Sequence, residues 1–126
     1  MITSNPTFIK GYYAEDDVPA FRFVAYGAEE GTCKTAVASD TKLMGVSDSF
    51  TTSEGDLVDV IREGIGEVEF AADIEYGDYL KPDSEGKAVK ASAGDVYVGR
   101  AEESGDDGVI GKIYLERGQL PAAPAA

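Results

Sequence analysis

Glycine-centred turn signals recur along this chain and leave only short segments between them. The chain has 15 glycines in 126 residues, and turn-forming pairs end at positions 27, 31, 55, 77, 86, 105 and 108. Runs rich in Val, Ile, Phe, Tyr and Thr separate these pairs at intervals of roughly ten residues, which is typical of an all-β sandwich or barrel. We therefore predict an all-β fold, a single small β-sandwich or barrel that is jelly-roll-like or related.

The candidate strands follow from the same pattern. They span residues 7–13, 21–26, 33–37, 43–50, 56–63, 66–71, 78–82, 87–91, 96–103 and 108–116. At 66–71 the alternation places Val68 and Phe70 on one face and two glutamates on the other. No window sustains an apolar stripe of period 3.6, so helix is expected to be scarce.

The length suits one domain with two terminal extensions. We assign residues 1–6 to an N-terminal arm, 7–117 to the β domain and 118–126, a Pro/Ala-rich stretch, to an extended and flexible tail. The first residues carry neither a basic segment nor an apolar one, so no signal peptide is expected. No apolar run approaches the ~18 residues of a membrane span.

The acidic balance disfavours two classes of partner. The net charge is −13, from 24 acids and 11 bases. Binding to nucleic acid requires Lys and Arg to displace counterions from phosphate, so direct contact with nucleic acid is not expected. An anionic membrane surface is disfavoured for the same electrostatic reason.

The chain lacks the histidine and the additional cysteines on which many catalytic and metal sites depend. The chain has no histidine, which removes the commonest general base and the Ser-His-Asp triad. Its single cysteine, Cys33, cannot complete a zinc site, and it is interpreted as a small apolar residue. The run "EESGDDG" at 102–108 holds four carboxylates but does not match an EF-hand, so weak divalent binding there stays open. We expect no enzyme activity and no cofactor.

The stretch "YLKPDSEGKAVKA", residues 79–91, invites comparison with a phosphate-binding loop. That loop needs glycine where Lys81 stands and Ser or Thr where Ala88 stands, so both positions fail. Pro82, Asp83 and Gly86 instead predict a turn between two short strands. The full set of residues assigned to structural turns is Gly27, Gly31, Gly45, Gly55, Gly64, Gly77, Pro82, Asp83, Gly86, Gly99 and Gly108.

Three segments in order resemble the capsid cement, or head decoration, proteins of tailed bacteriophages. They are "FRFVAYGAEEGTCKTAVASDTKLMGVSDS" (21–49), "GDLVDVIREGIGEVEFAADIEYGDYLKPDSEGKAVKA" (55–91) and "VGRAEESGDDGVIGKIYLERG" (98–118). The resemblance lies in the order of turns and alternating strands, including the "D-x-x-G-K-A" hairpin. It covers nearly the whole chain, and the high acidity is the main departure.

The resemblance implies a structural role on a virion. Such proteins bind the outer surface of an expanded head and bridge major capsid subunits, without catalysis or cofactor. It implies the major capsid protein as partner, a homodimer or homotrimer at local symmetry axes, and synthesis in the host bacterial cytoplasm. Thr7, Phe8, Ile9 and Lys10 are the candidate capsid-interface residues. Residues 7–13 can equally be the first strand of the domain.

Two other functions remain open. A β-sandwich that binds carbohydrate or a host surface would need an exposed aromatic platform, for which the candidates are Tyr12, Tyr13, Tyr76, Tyr79, Tyr97 and Tyr114. A carboxylate glycosidase would need two acids facing each other across a cleft.

Overall fold

Every regular element in the described part of the chain is a β-strand. The structure is a computed structural model and describes residues 5–123. The strands are β1 (Asn5–Ala14), β2 (Phe23–Tyr26), β3 (Thr32–Thr35), β4 (Leu43–Ser47), β5 (Leu57–Glu69), β6 (Tyr79–Pro82), β7 (Ala88–Lys90), β8 (Val96–Ala101) and β9 (Ile110–Gln119). Within residues 5–123 no helix is present, and so none that could cross a membrane. The all-β prediction is confirmed.

The strands form one sheet that closes on itself. Their order is β1-β3-β2-β4-β5-β9-β8-β6-β7, and β1 also pairs with β5. The β1–β5 pairing closes the first five strands in this order, β1, β3, β2, β4 and β5, into a ring, here called the N-terminal barrel. The remaining strands, β9, β8, β6 and β7, extend from β5 and form the C-terminal sheet. The outermost of them, β7, forms a bridge through Ala88 to Phe70, the residue that follows β5. Strand β5 is therefore shared by both halves.

The prediction of two strands at 56–63 and 66–71 is wrong, because the structure has one continuous strand there. The first part of β5 pairs with β1, and its last five residues, Ile65–Glu69, pair with β9. Gly64, which sequence analysis took for a turn, has φ 92° inside the strand. A Cβ at Gly64 would lie 2.6 Å from the carbonyl oxygen of Asn5. Glycine therefore permits an irregular close pairing with β1, whose register shifts between Pro6 and Ile9.

Apolar residues fill both faces of the sheet around β5. One cluster lies on the inward face of the N-terminal barrel and includes Val24, Cys33, Met44, Val58 and Val60. The second joins the opposite face of the barrel strands to the C-terminal sheet, and its members are Phe23, Ala25, Ala36, Leu43, Val46, Ile61, Val68, Phe70, Ile74, Leu80, Ala88, Val98, Ala101, Ile113 and Leu115. The predicted burial of Val68 and Phe70 is confirmed, since both are fully buried.

The strands at both ends run further than the sequence suggested. Asn5 and Pro6, assigned to the arm, begin β1, and Gly118 and Gln119, assigned to the tail, end β9. Pairing with β5 and β8 extends the two strands, because each added residue finds a partner backbone. Residues 1–4 and 124–126, the rest of the predicted arm and the end of the tail, lie outside the described residues.

The predicted turn residues do not all occupy one kind of position: Gly27 and Asp83 lie in connections without positive φ, and Pro82 is the last residue of β6. Gly31, Gly55, Gly77, Gly86 and Gly108 have positive φ and lie in connections between strands, as does Gly94, which sequence analysis did not select. Gly45, Gly64 and Gly99 lie inside strands instead, so their assignment to turns is corrected. Gly45 is needed for close approach of β4 to β5, because a Cβ there would lie 2.1 Å from the carbonyl oxygen of Ile61.

Candidate functional site

The first candidate surface is the outer edge of β1. This strand pairs with β5 from Asn5 to Tyr13 but reaches β3 only at Tyr13 and Ala14. Within residues 5–123, the other edge of β1 therefore has no strand partner before Tyr13. Phe8 is 46% exposed and Ile9 is 43% exposed. The structure thus places the predicted interface residues Thr7 to Lys10 together on the domain's first strand, with an open edge and exposed apolar side chains.

The second candidate surface is a group of cations at one end of the N-terminal barrel. Tyr26 and Arg62 follow Val24 and Val60 by two residues, so alternation puts them on the inward face at the barrel end. The Arg62 guanidinium donates hydrogen bonds to the hydroxyl oxygens of Tyr12 and Tyr26. Lys10 lies over the Tyr12 ring, with Nζ 4.5 Å from the ring centroid.

Two further cations complete this group. Arg117 Nη1 donates to the carbonyl oxygens of Met44 and Arg62, each at 3.0 Å. Lys42 lines a concavity of about 450 Å³ together with Tyr12, Tyr26 and Met44. We call Lys10, Lys42, Arg62 and Arg117 the basic mouth. Partial burial would lower the pKa of Arg62, but the hydrogen bonds to the tyrosine hydroxyls outweigh it and raise that pKa, so the group stays charged.

The 79–91 stretch is structural. Asp83 Oδ1 accepts hydrogen bonds from the backbone N–H groups of Glu85 and Lys87, at 2.8 and 2.9 Å. Gly86 has φ 75°, and its carbonyl oxygen accepts a 2.7 Å bond from the N–H of Phe23 in the barrel. The Asp83 side chain therefore stabilises the turn, and the Gly86 carbonyl joins the C-terminal sheet to the N-terminal barrel.

An ion-pair network ties the same hairpin to both halves. Glu69 lies 3.1 Å from Arg22 and 3.2 Å from Lys87, each measured between side-chain N and O atoms. Burial acts to raise the pKa of Glu69, but Lys87 and Arg22 together lower it below the ordinary value. The carboxylate is thereby held ionised as a bridge between β5, the segment before β2 and the hairpin.

The acidic 102–108 loop is held by hydrogen bonds to neighbouring segments. Glu103 Oε2 accepts a 2.8 Å hydrogen bond from the N–H of Lys112, and Gly105 bridges to Ile74. Within residues 5–123, no group of three or more Cys, Asp or Glu side chains is placed to hold a metal ion.

The predicted aromatic platform is only partly assembled. Tyr76, 73% exposed, and Tyr114, 48% exposed, line a depression of about 430 Å³ with Arg100, Glu102 and Glu116. Tyr12 is buried, and Tyr13 is exposed on β1 but does not line this depression. Tyr79 and Tyr97 are half-buried against each other, with ring centroids 4.5 Å apart.

Cys33 is enclosed in the barrel core. Its side chain has no exposed surface, and burial together with the negative charges of Asp16 and Glu15 raises its pKa to about 11. A thiol with that pKa carries almost no thiolate at neutral pH, so Cys33 has the properties of a core residue.

The β1 edge and the basic mouth are thus the two candidate surfaces of a two-part β body. The family model for phage cement proteins matches residues 9–113, which is most of the chain. The chain therefore belongs to the phage cement protein family and is a structural protein of a phage capsid.

A solved structure shares the fold. The chain aligns with the N base of head fiber gp8.5 in bacteriophage phi29, with a TM-score of 0.66, 22% identity, and coverage of 90% of this chain and 97% of that one. Agreement at this identity shows a common fold. No curated protein sequence matches the chain.

Sequence analysis selected the β1 edge but missed three members of the basic mouth. Lys42 lies just before β4, Arg62 in β5 and Arg117 in β9, so they come together only when the sheet folds. One signal was available for Arg62, because it follows Val58 and Val60 on the same face of an alternating strand.

Proposed function

We propose that this protein is a cement that binds the outer surface of the phage head, bridges neighbouring major capsid subunits and stabilises the shell after expansion. The observation that carries the proposal is the family match over residues 9–113. The major capsid protein is the proposed partner, and the outside of the virion is the proposed location after synthesis in the host cytoplasm. No catalytic step is part of this function.

The β1 edge supports the proposal. An unpaired strand edge offers backbone N–H and C=O groups to a strand of a partner, which adds hydrogen bonds along the contact. Phe8 and Ile9 supply exposed apolar surface beside that edge. Thr7, Phe8, Ile9 and Lys10 are therefore proposed to contact the shell, and many copies on one head would make each modest contact sufficient. We also propose assembly as a dimer or trimer at local symmetry axes.

The test uses expanded heads that lack this protein. Purified protein is added up to saturation, bound copies are counted after sedimentation, and release of DNA on heating is compared with that of undecorated heads. Saturable binding with later DNA release supports a cement. Absence of binding at saturating concentration would overturn the proposal, and binding without added stability would limit the protein to decoration.

A second function is favoured by one observation, the exposed pair Tyr76 and Tyr114 beside two glutamates and Arg100. Exposed aromatic rings with adjacent hydrogen-bonding groups suit a sugar ring of a host surface. Binding on a glycan array that disappears in Tyr76→Ala and Tyr114→Ala variants would support it. An array without binding would remove it.

A further inference from the structure

The basic mouth keeps its charge in a strongly acidic protein. None of the ion pairs within residues 5–123 involves Lys10, Lys42, Arg62 or Arg117. Five of the other seven cations are paired with a carboxylate at 3.1–3.8 Å, namely Arg22, Lys34, Lys81, Lys87 and Lys90, whereas Arg100 and Lys112 are not among these pairs. In a chain of 24 acids and 11 bases, the distinguishing feature of the mouth is that four cations without an ion pair lie around the same neighbours, Tyr12, Tyr26 and Met44.

The acceptors in the mouth are neutral, so they orient the cations without cancelling their charge. Arg62 donates to two tyrosine hydroxyls, and its buried Nε finds no acceptor within the described residues. Arg117 donates to backbone carbonyls, and Lys10 rests on an aromatic ring. A carboxylate brought into the mouth would meet pre-oriented donors and uncompensated positive charge.

The mouth also has a defined shape. A concavity of about 450 Å³ is lined by Tyr12, Tyr26, Met44, the turn at 27–32 and one cation of the mouth, Lys42, while Arg62 and Lys10 adjoin it through their contacts with Tyr12 and Tyr26. Tyr26 is 45% exposed, so an apolar contact accompanies the charges. Glu29 and Glu30 belong to this turn and form no ion pair with the four cations. Their negative charges oppose an anionic guest, so the four cations must supply the attraction.

We infer that the basic mouth receives a carboxylate-bearing segment of the capsid shell protein. This inference rests on the proposed function. The shell is favoured as the source because Lys10 belongs both to the mouth and to the β1 edge proposed to meet the shell, so the two form one continuous surface. Extended polyanions such as nucleic acid are disfavoured by the net charge of −13. The mouth thus gives an acidic protein a face on which positive charge is concentrated for contact with acidic groups.

The first test removes charge without removing the donors that hold the barrel. Lys10→Gln/Lys42→Gln is compared with Lys81→Gln/Lys90→Gln, which removes two charges from β6 and β7, on heads that lack the protein. We expect the mouth variant to bind about tenfold more weakly at ~0.15 M salt, with a shallower salt dependence, and the control to bind like wild type. Melting temperatures identify any loss that comes from unfolding.

Two outcomes of this comparison separate the two claims. If wild type binds heads and the mouth variant binds equally well, the inference is overturned and the proposed function stands. If wild type does not bind heads, the proposed function fails and the inference fails with it. A Glu29→Gln/Glu30→Gln variant is expected to bind more tightly, and unchanged or weaker binding would contradict the described electrostatics.

The second test identifies the guest. Decorated heads are treated with a zero-length carbodiimide, which joins an amine to a carboxylate in direct contact, and linked peptides are identified by mass spectrometry. Links from Lys10 or Lys42 to an Asp or Glu of the shell protein are expected. Links from these lysines only to another copy of this chain, or no links from them, would overturn the assignment of the shell as partner.

Discussion

At the scale of single residues, depth in the barrel governs whether an inward-facing ionisable side chain carries charge. Cys33 and Arg62 both occupy inward-facing positions. Cys33 lies deep in the core, where burial suppresses its ionisation, whereas Arg62 lies at the barrel end, where two hydroxyls keep it charged. Sequence predicted the inert cysteine from its lack of a neighbouring base, but it gave no means to recognise that Tyr12 and Tyr26 converge on one arginine.

Cys33 is expected to resist alkylation in the folded protein. Its pKa of about 11 leaves very little thiolate at pH 8, and its side chain is closed to solvent. Iodoacetamide should therefore modify Cys33 at least ~100-fold more slowly in buffer than in guanidinium chloride, where the chain is unfolded. Mass spectrometry follows the reaction, and equal rates in the two conditions would show that the barrel core opens readily.

Glu69 is expected to stabilise the fold in a pH-dependent way. Its pKa is lowered in the folded state from the ordinary value of 4.5, because Lys87 and Arg22 favour the charged form over the opposing effect of burial. Its contribution is therefore present above that value and is lost as pH falls through the folded pKa. Glu69→Gln should cost about 1 kcal/mol in urea unfolding at pH 7 and much less near pH 3.

The matched control is Glu85→Gln, which alters the more exposed acid beside Lys87. We expect it to change the unfolding free energy little at either pH. A cost for Glu69→Gln that is the same at both values would mean that lost packing, and not charge, explains it.

At the scale of elements, glycines in this chain have two different uses that look alike in sequence. Most of those in connections, such as Gly31, Gly55 and Gly86, adopt positive φ, while Gly45 and Gly99 let neighbouring groups approach closely within the sheet. The two uses cannot be separated before the strand order is known, because close approach depends on residues far away in the chain. That is why β5 was divided into two strands at Gly64.

Gly86 is expected to be more sensitive to substitution than Gly94. Both have positive φ, at 75° and 85°, but a Cβ at Gly86 would lie 2.8 Å from Thr35 Cγ2 and 3.0 Å from the Phe23 carbonyl oxygen, whereas Gly94 faces open space. Gly94→Ala should cost about 1 kcal/mol from backbone strain alone, and Gly86→Ala about 3 kcal/mol because the hairpin must also move from the barrel. Equal costs in urea unfolding would show that hairpin docking adds nothing.

The β1 edge is best tested by side-chain substitution, since deletion of residues 1–10 would also remove part of β1 from its pairing with β5. Phe8→Ser/Ile9→Ser should weaken binding to heads by about tenfold or more while the melting temperature changes by only a few degrees. Phe50→Ser, at a side chain that is 74% exposed outside the strands, is the matched control and should bind normally. Equal losses of binding and stability in the β1 variant would assign Phe8 and Ile9 to the fold.

At the scale of the whole molecule, the sequence was sufficient for the fold class and the family but not for the architecture. Turn spacing and alternation are local, so they predicted strands at nearly every observed position and gave the order of motifs that marks the family. The pairing of β1 with β5 joins segments that are far apart in the chain, so the spacing of turns along the sequence does not predict it. The basic mouth depends on that closure, so it could not be predicted either, whereas Thr7 to Lys10 could, because they are contiguous.

The net charge of the whole molecule should make its stability depend on salt. A net charge of −13 makes the folded state repel itself, and salt weakens that repulsion by shortening its range from ~30 Å at 0.01 M to ~10 Å at 0.1 M. The melting temperature should therefore rise by several degrees between ~0.01 and ~0.3 M NaCl. Asp106→Asn/Asp107→Asn, in the exposed acidic loop, should melt higher than wild type at low salt and gain less from added salt. Binding to heads through the basic mouth should respond in the opposite direction, weakening as salt rises. A melting temperature that falls with salt would mean that attractive ion pairs, such as those of Glu69, dominate the stability of the isolated protein over its net repulsion.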